Sequence, residues 1–418
     1  MSRLYDLWRQ KGVAGIARSV NIRLVKLLHW LISIPLFLLA ASACLFLLPI
    51  RRIKLGIFPT ERIGHLALNP DLFCRRKWLG NKLDADLEIF VAGNPANEQL
   101  LEMWQRKMTI FRLPFLHSVL CATQTLWSRS IFFQPLTMLS NEYVEFNTAP
   151  PTLEFTDEEE SKGRTQLAKW GIDAETNWFV CVFARDESYL NAAHPDEGDW
   201  SYHDYRNADI DSFTPAIEEV VSRGGFVLRM GFHVAKPLSV KSPRVIDYAQ
   251  TSRSDFMDIY LTAKCRFFLG TTSGIGDVAA VFDRPRIGVN WVPFGNAPFG
   301  KHSLFIPKLA ENHLTGEKIA FPELLEAFKR RSDPKLWDGK LALKSGYRYI
   351  DNTPEEILDV TREMLDRIEK EYQPSEIDEK LQITYRQAFP KEHWCSGIAT
   401  PIGSGFLRLH IDLLTARA

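Results

Sequence analysis

The sequence predicts an α/β protein organised around a parallel, doubly wound sheet and preceded by an N-terminal hydrophobic membrane segment. Three observations predict it. Between about residues 175 and 300, fully apolar runs of strand length alternate with segments of helical period, the pattern of a parallel sheet covered on both faces. Residues 27–50, "LLHWLISIPLFLLAASACLFLLPI", form 24 positions without a formal charge. Finally, "FLGTTSGIGDVAAVF" crowds small hydroxyls and glycines where a strand hands over to a helix. In such sheets that is where ligands bind.

The hydrophobic segment is long enough to span a bilayer. Arg51, Arg52 and Lys54 follow it in place of a small-residue cleavage site, which argues against a secretory signal. Lys11, Arg18, Arg23 and Lys26 precede it, while Arg51, Arg52, Lys54 and Arg62 follow. Four basic residues on each side leave the positive-inside rule nothing to read. Pro35 allows either a crossing helix or a hairpin with both flanks on one side. The preceding 26 residues mix Leu, Trp, Ile and Val with basic residues, as an interfacial helix does. Membrane attachment is the expectation; crossing and dipping both stay open.

Beyond the segment, "RIKLGIFPTERIGHLALNPDLFCRR" shows short apolar runs around 62–65. "DLEIFVAGNPAN" predicts a strand ending in a Gly-Asn-Pro turn, followed by a helix over 97–107. "MTIFRLPFLHSVLCATQTLW" is apolar but interrupted by Pro114. Pro150 and Pro151 break the chain near 150, after which Thr156 and Glu159 predict a capping box and Gly171 a helix stop. Four buried strands then follow: 178–184, 225–230, 265–270 and 286–290. Between them, Thr214-Pro215 opens one helix, and Ser252 with Asp255 is read as the cap of another. After about 310 the chain turns helical, with Thr353, Pro354 and Glu356 starting a segment that runs to about 372. The expected organisation is an anchoring segment 1–54, a first α/β unit 55–150, a second unit 151–310 and a helical region 311–418 that packs back.

Composition narrows the functions open to this chain. Lys plus Arg and Asp plus Glu are 51 each, so no overall field draws it to nucleic acid. Six scattered cysteines contain no C-x-x-C pair and no zinc-like spacing with histidine, which suits a reducing compartment and predicts no metal centre. No G-x-x-x-x-G-K-[ST] occurs. "GIGDVA" fits G-x-G-x-x-A, but the next strand ends in Asn290-Trp291, without the acid a dinucleotide site needs. The D-x-D strings at Asp84/Asp86 and Asp209/Asp211 are what an acid-rich chain contains by chance.

The candidate site gathers at strand ends. Arg185-Asp186 follows the first strand of the second unit, and Arg229 closes the next. "SYHDYRNADID" between them carries His203, Arg206 and Asn207. Three arginines held on one rim call for an anion. Thr271, Thr272, Ser273 and Gly274 supply hydroxyls and backbone N–H groups at a helix start, a ready phosphate cradle. The competing reading is ordinary N-capping, which needs no ligand.

"YRNADIDSFTPAIEEVVSRGGFVLRMG" and "VIDYAQTSRSDFMDIYLTAKCRFFLGTTSGIGDVAAVFDRP" resemble a poorly characterised bacterial family of glycosyltransferases from surface-polysaccharide gene clusters, over about residues 175 to 300. "GSGFLR" near the end is similar to that family's ending. The resemblance implies two Rossmann-like lobes of the GT-B type, with a nucleotide-sugar donor on the second lobe and a glycan or lipid-linked glycan as acceptor. It implies no bound metal and no cofactor other than that co-substrate. Arg185, Arg229 and Thr271 to Gly274 would then contact the donor phosphates, and Asp247 and Tyr248 would lie near the base or ribose. "RIGHLALNP" resembles the Gly-Asp turn and following proline of heptosyltransferase-type GT-B enzymes, whose aspartate is a candidate general base. Here His65 stands at that position, and Asp186 is the alternative base. The expected setting is the bacterial inner membrane, with the catalytic part in the cytoplasm. Two other readings remain: a nucleotide-sugar epimerase on the same fold, or a non-catalytic membrane tether of a polysaccharide assembly complex.

Overall fold

Two separate parallel sheets carry the chain, and the helices that join them decide where a cavity opens between them. A computed structural model describes residues 24, 27–81, 85–186, 201–232 and 234–415. Residues 1–23 and 25–26, Lys26 among them, and Asp84, all used in the sequence reading, lie outside these. Residues Leu27–Leu47 form one continuous helix, α1. Pro35 lies inside it without producing a hairpin, because a missing N–H removes one bond of the ladder and leaves the others intact.

The first sheet comprises β1 (Ile53–Ile57), β2 (Leu87–Ala92) and β3 (Ile110–Arg112), in that order and all parallel. Between β1 and β2 runs α2 (Ile63–Trp78), where the sequence suggested only short apolar runs. Pro70 sits inside α2 and cannot donate to Leu66 O. The Trp104 indole N–H donates to that carbonyl at 2.9 Å, so the fold supplies from elsewhere the bond that Pro70 withholds. Trp104 belongs to α3 (Glu98–Gln105), whose cap is Asn97, its Oδ1 accepting from Leu100 N–H at 2.9 Å. Pro114, which obscured the reading of its neighbourhood, is the first residue of α4 (Pro114–Ala122), where a proline costs no hydrogen bond. The short α5 (Gln124–Trp127) completes this layer.

The second sheet has six parallel strands in the order β6-β5-β4-β7-β8-β9. These are β4 (Phe179–Phe183), β5 (Phe226–Arg229), β6 (Val245–Ile246), β7 (Phe268–Gly270), β8 (Arg286–Trp291) and β9 (Leu304–Pro307). The four strands expected from sequence are β4, β5, β7 and β8. β6 is too short, and β9 too deep in a mixed stretch, to stand out. Helices α6 (Asp157–Lys169), α7 (Thr214–Ser222), α8 (Asp255–Lys264) and α9 (Gly274–Val281) connect and cover it. The Thr156–Glu159 capping box forms in both directions. For α8 the sequence reading is corrected: the cap is Ser254, whose Oγ accepts from Met257 N–H at 3.2 Å, and not Ser252. Ser254 alone lies directly before the first helical residue with its backbone extended, as an N-cap requires.

Helix α10 (Pro354–Glu369), opened by the expected Thr353–Glu356 box, packs against α7 and ties to it by Arg223–Asp366 at 2.7 Å and Arg362–Glu219 at 3.0 Å. The two sheets meet where α2 lies against α9. At that seam the fully buried Arg75 of α2 donates to Asp71, to Ala149 O and to the last carbonyls of α9, Ala280 O and Val281 O, and it pairs with Asp283 at 3.0 Å.

Candidate functional site

A cavity of about 620 Å³ opens between the two sheets, within the roughly 300–1,000 Å³ usual for small-molecule sites. One wall is the start of α2: Glu61, Arg62, Ile63, Gly64 and His65. The other is built from ends of the second sheet. Ala184, Arg185 and Asp186 follow β4, Gly231 and Phe232 follow β5, and Thr272, Ser273 and Gly274 follow β7. His203, Arg206, Arg253, Asp258 and Asp277 also line it.

Two helix N-termini meet here. Helix α2 starts without a side-chain cap and without an acid in its first turn, and its first intrahelical bond is Leu66 N–H to Arg62 O at 2.9 Å. The N–H groups before Leu66 have no acceptor inside the helix. Helix α9 starts beside it, and only glycines allow the approach. A Cβ on Gly274 would lie 2.7 Å from Gly64 N, and one on Gly64 would lie 3.0 Å from Gly274 Cα. Ser273 does cap α9, accepting from Gly276 N–H at 3.3 Å. So the capping reading of "TTSG" is literally correct. It is also incomplete, since capping satisfies one donor and leaves two positive helix ends facing one cavity.

Charges of both signs line the cavity, Arg62, Arg185, Arg206 and Arg253 beside Glu61, Asp186, Asp258 and Asp277. Arg185 donates to His203 O at 3.2 Å and to Asn207 Oδ1, while its own N–H is held by Thr271 Oγ1 at 3.1 Å. Arg206 donates to Thr272 O at 3.1 Å. Thr272 Oγ1 donates in turn to Val292 O at 2.6 Å, which fixes the turn against the sheet. Burial, and after it the repulsion of Arg206, brings Arg185 down to about 10, still charged at neutral pH. His203 is pushed down to about 4, first by burial and then by Arg206, Arg185 and Arg62.

That depression sets a pH dependence. The folded value lies below the unfolded 6.5, so His203 contributes stability that is present above pH 6.5 and lost as the pH falls towards about 4. Replacing His203 by glutamine is expected to flatten the decline of melting temperature between pH 6.5 and 4.5. Parallel curves for the two proteins would show that burial and the arginines do not hold this imidazole neutral in the fold.

Not every residue picked from the sequence reaches the cavity. Arg185, Asp186, Arg206, Thr272, Ser273, Gly274 and His65 line it, whereas Thr271 and Asn207 stand one layer behind and hold Arg185. Arg229 does not point there. It is buried, donates to Lys236 O and lies 3.5 Å from Asp247, whose Oδ2 also accepts from Leu238 N–H at 3.0 Å. The pair therefore braces the loop after β5. The cause is β-strand alternation together with burial, which turns this guanidinium inward to its own carboxylate. Tyr248 is likewise buried, its hydroxyl 2.9 Å from Asp258 Oδ1, so it reaches the cavity only through Asp258.

Several wall residues escaped the sequence reading. Arg62 entered it only as a flanking charge. Asp277 occupies the first turn of α9, where an acid is usually read as a complement to the helix dipole. In the fold, Arg286 donates to its Oδ1 at 3.0 Å, and burial holds its carboxyl above the ordinary range against the pull of Arg286, His65 and Arg206. Asp258, raised to about 6 by burial despite Arg253, did not enter the sequence reading. Asp209 and Asp211 both pair with Lys236, at 2.6 and 2.5 Å. Among the described residues, one carboxylate group, Asp366, Glu369 and Glu371, is tight enough to hold a cation, and Arg223 already engages two of its members.

No family model and no curated protein sequence matches this chain. Among solved structures it is similar to the glycosyl transferase family 9 protein of Veillonella parvula, with 10% identity and a TM-score of 0.44, covering 75% of this chain and 97% of that one. The ADP-heptose lps heptosyltransferase II of E. coli gives 12% identity and a TM-score of 0.37, covering 62% and 90%. The dodecameric iron-containing heptosyltransferase TibC, in complex with ADP-D-beta-D-heptose, gives 10% and 0.36, covering 76% and 78%.

Proposed function

We propose that this chain is a glycosyltransferase that holds a nucleotide sugar by its diphosphate in the cavity between the two sheets and passes the sugar to a surface-polysaccharide or lipid-linked glycan acceptor. The observation that carries the reading is the convergence of two helix N-termini with Arg62, Arg185 and Arg206, whose field adds to burial in pushing the His203 pKa down to about 4. A doubly charged diphosphate compensates such a field. It is also the leaving group whose growing charge fixed cations and helix ends stabilise as the glycosidic bond breaks. The likeness of residues 175–300 to surface-polysaccharide glycosyltransferases supports sugar transfer in particular.

Within this reading His65 is the base that takes the proton of the acceptor hydroxyl. Asn69 Nδ2 donates to Leu136 O at 2.7 Å, which turns Asn69 Oδ1 toward His65 Nδ1 at 3.4 Å. A proton on Nδ1 shared with that oxygen leaves the Nε2 lone pair for the acceptor. Asp186 is the alternative, although its Oδ2 already accepts from Ala235 N–H at 3.0 Å. The membrane setting is the bacterial inner membrane, with the cavity on the cytoplasmic side, where activated sugars are made.

The test is thermal denaturation of the detergent-solubilised full chain with UDP, GDP, CMP, ADP or dTDP, repeated for Arg206→Ala. A ligand at 100 times its dissociation constant stabilises by about 2.7 kcal/mol, which is readily seen. One nucleotide is expected to raise the melting temperature of the wild type and to lose most of that effect in the variant. A folded protein indifferent to all five would favour the non-catalytic tether.

A further inference from the structure

Helix α1 is not a free-standing span. Its buried and half-buried positions include Trp30, Ser33, Phe37, Ala40, Cys44 and Leu47, a spacing of three or four that draws one stripe along the whole helix. That stripe rests on the outer layer of the first sheet. Ser33 Oγ lies 2.6 Å from Thr123 Oγ1 and accepts from the Trp127 indole at 3.1 Å. The Phe37 ring meets Trp127 edge-on at 5.0 Å, and Phe37 and Ala40 pack on Leu120, Trp127 and Phe133. The opposite face is bare leucine and phenylalanine, including Leu31, Leu38, Leu39 and Phe46.

A helix that crosses a bilayer alone needs roughly 30 Å of hydrocarbon around it. Here its middle turns are fastened to α4 and α5, so a perpendicular crossing would carry part of the first sheet into hydrocarbon. Open sheet edges and loops do not survive there. A second observation indicates the orientation instead. Large apolar side chains are also exposed on and beside the elements on which α1 docks: Phe111 and Leu113 at the β3–α4 corner, Phe115 (65% exposed) in α4, and Ile131 (74% exposed) shortly after α5. Exposed Arg51 and Arg129 follow α1 and α5, where anionic headgroups would meet them.

We propose that α1 lies in the plane of one leaflet, with Phe111, Leu113, Phe115 and Ile131 sunk in the same layer, so that this edge of the first sheet is the membrane-bound face of the protein. The occupant of the apolar surface is the lipid bilayer.

The test places an environment-sensitive nitrobenzoxadiazole label on Leu39→Cys, Phe115→Cys, Ile131→Cys and Leu314→Cys of the full chain, with labelled wild type as background. All four positions are exposed, so the substitutions leave the core intact. The proteins are reconstituted in vesicles of phosphatidylethanolamine and phosphatidylglycerol containing shallow or deep spin-labelled lipids. Labels at 39, 115 and 131 are expected to be quenched by lipid at one shallow depth, and the label at 314 only by aqueous iodide. Deep quenching at 39 with iodide access at 115 and 131 would mean a crossing helix and overturn the proposal. Shielding of 115 and 131 from both quenchers would mean that another copy of the chain covers them, and would overturn it too. Iodide access at 39, 115 and 131 alike would remove the membrane contact altogether.

Discussion

Arg75→Ala is expected to cost about 3–5 kcal/mol of stability, the usual consequence of removing one partner of a buried ion pair. Set against the roughly 5–15 kcal/mol that holds a domain folded, this is a large part of the whole. The loss has three sources. Asp71 keeps a buried carboxylate without its cation, Val281 O loses its guanidinium donor while Ala280 O keeps only backbone donors, and Ala149 O loses its 2.6 Å bond. The effect also has a pH signature. Burial already raises Asp71 to about 6 against the pull of Arg75, so its contribution is fully present below pH 3.8 and is lost as the pH rises through about 6. Without Arg75 the folded value climbs further, and the gap between variant and wild type should widen from pH 6 to pH 8. Urea denaturation at several pH values reads both effects. A loss below about 1 kcal/mol, or a gap that narrows with pH, would show that Arg75 does not tie α2 to α9.

Gly274→Val should remove nucleotide binding while leaving a folded protein. Its Cβ would stand 2.7 Å from Gly64 N and 2.9 Å from Ile63 Cγ2, with no flexible side-chain end available to yield on the backbone side. The two helix starts must separate, at an overpacking cost of about 1–3 kcal/mol. If both ends hold one diphosphate, losing two charge-assisted hydrogen bonds of about 1.5–3 kcal/mol each weakens binding on the order of 100-fold or more. Titration calorimetry with whichever nucleotide stabilises the wild type measures this. Wild-type affinity in Gly274→Val would place the phosphates elsewhere, even if the nucleotide binds.

Much of the second sheet was legible because burial on both faces writes itself as uninterrupted apolar runs, and β4, β5, β7 and β8 are such runs. Capping boxes at Thr156 and Thr353 were legible because they are made within four residues. Helix α2 was obscured by Pro70, whose cost is met by Trp104 from a different helix, a contact that no local window contains. The wall residues Arg62, Asp258 and Asp277 were passed over for a similar reason. Each sits where a charge has an ordinary local explanation, at a flank or in a first helical turn.

The sequence by itself determined the parallel α/β class, the charge-free helix of membrane-spanning length and the cluster of small residues after β7, because each is encoded by periodicity or local chemistry. Tertiary structure alone decided which cations face the cavity. It turned Arg229 into its own carboxylate, brought Arg62 across from α2 to Arg185 and Arg206, and set Gly64 against Gly274. It also fastened the apolar helix lengthwise to the first sheet through Ser33 and Trp127. Those outcomes depend on pairings between residues far apart in the chain, where the cost of burying a charge or a backbone group is settled by whichever partner the fold brings within reach.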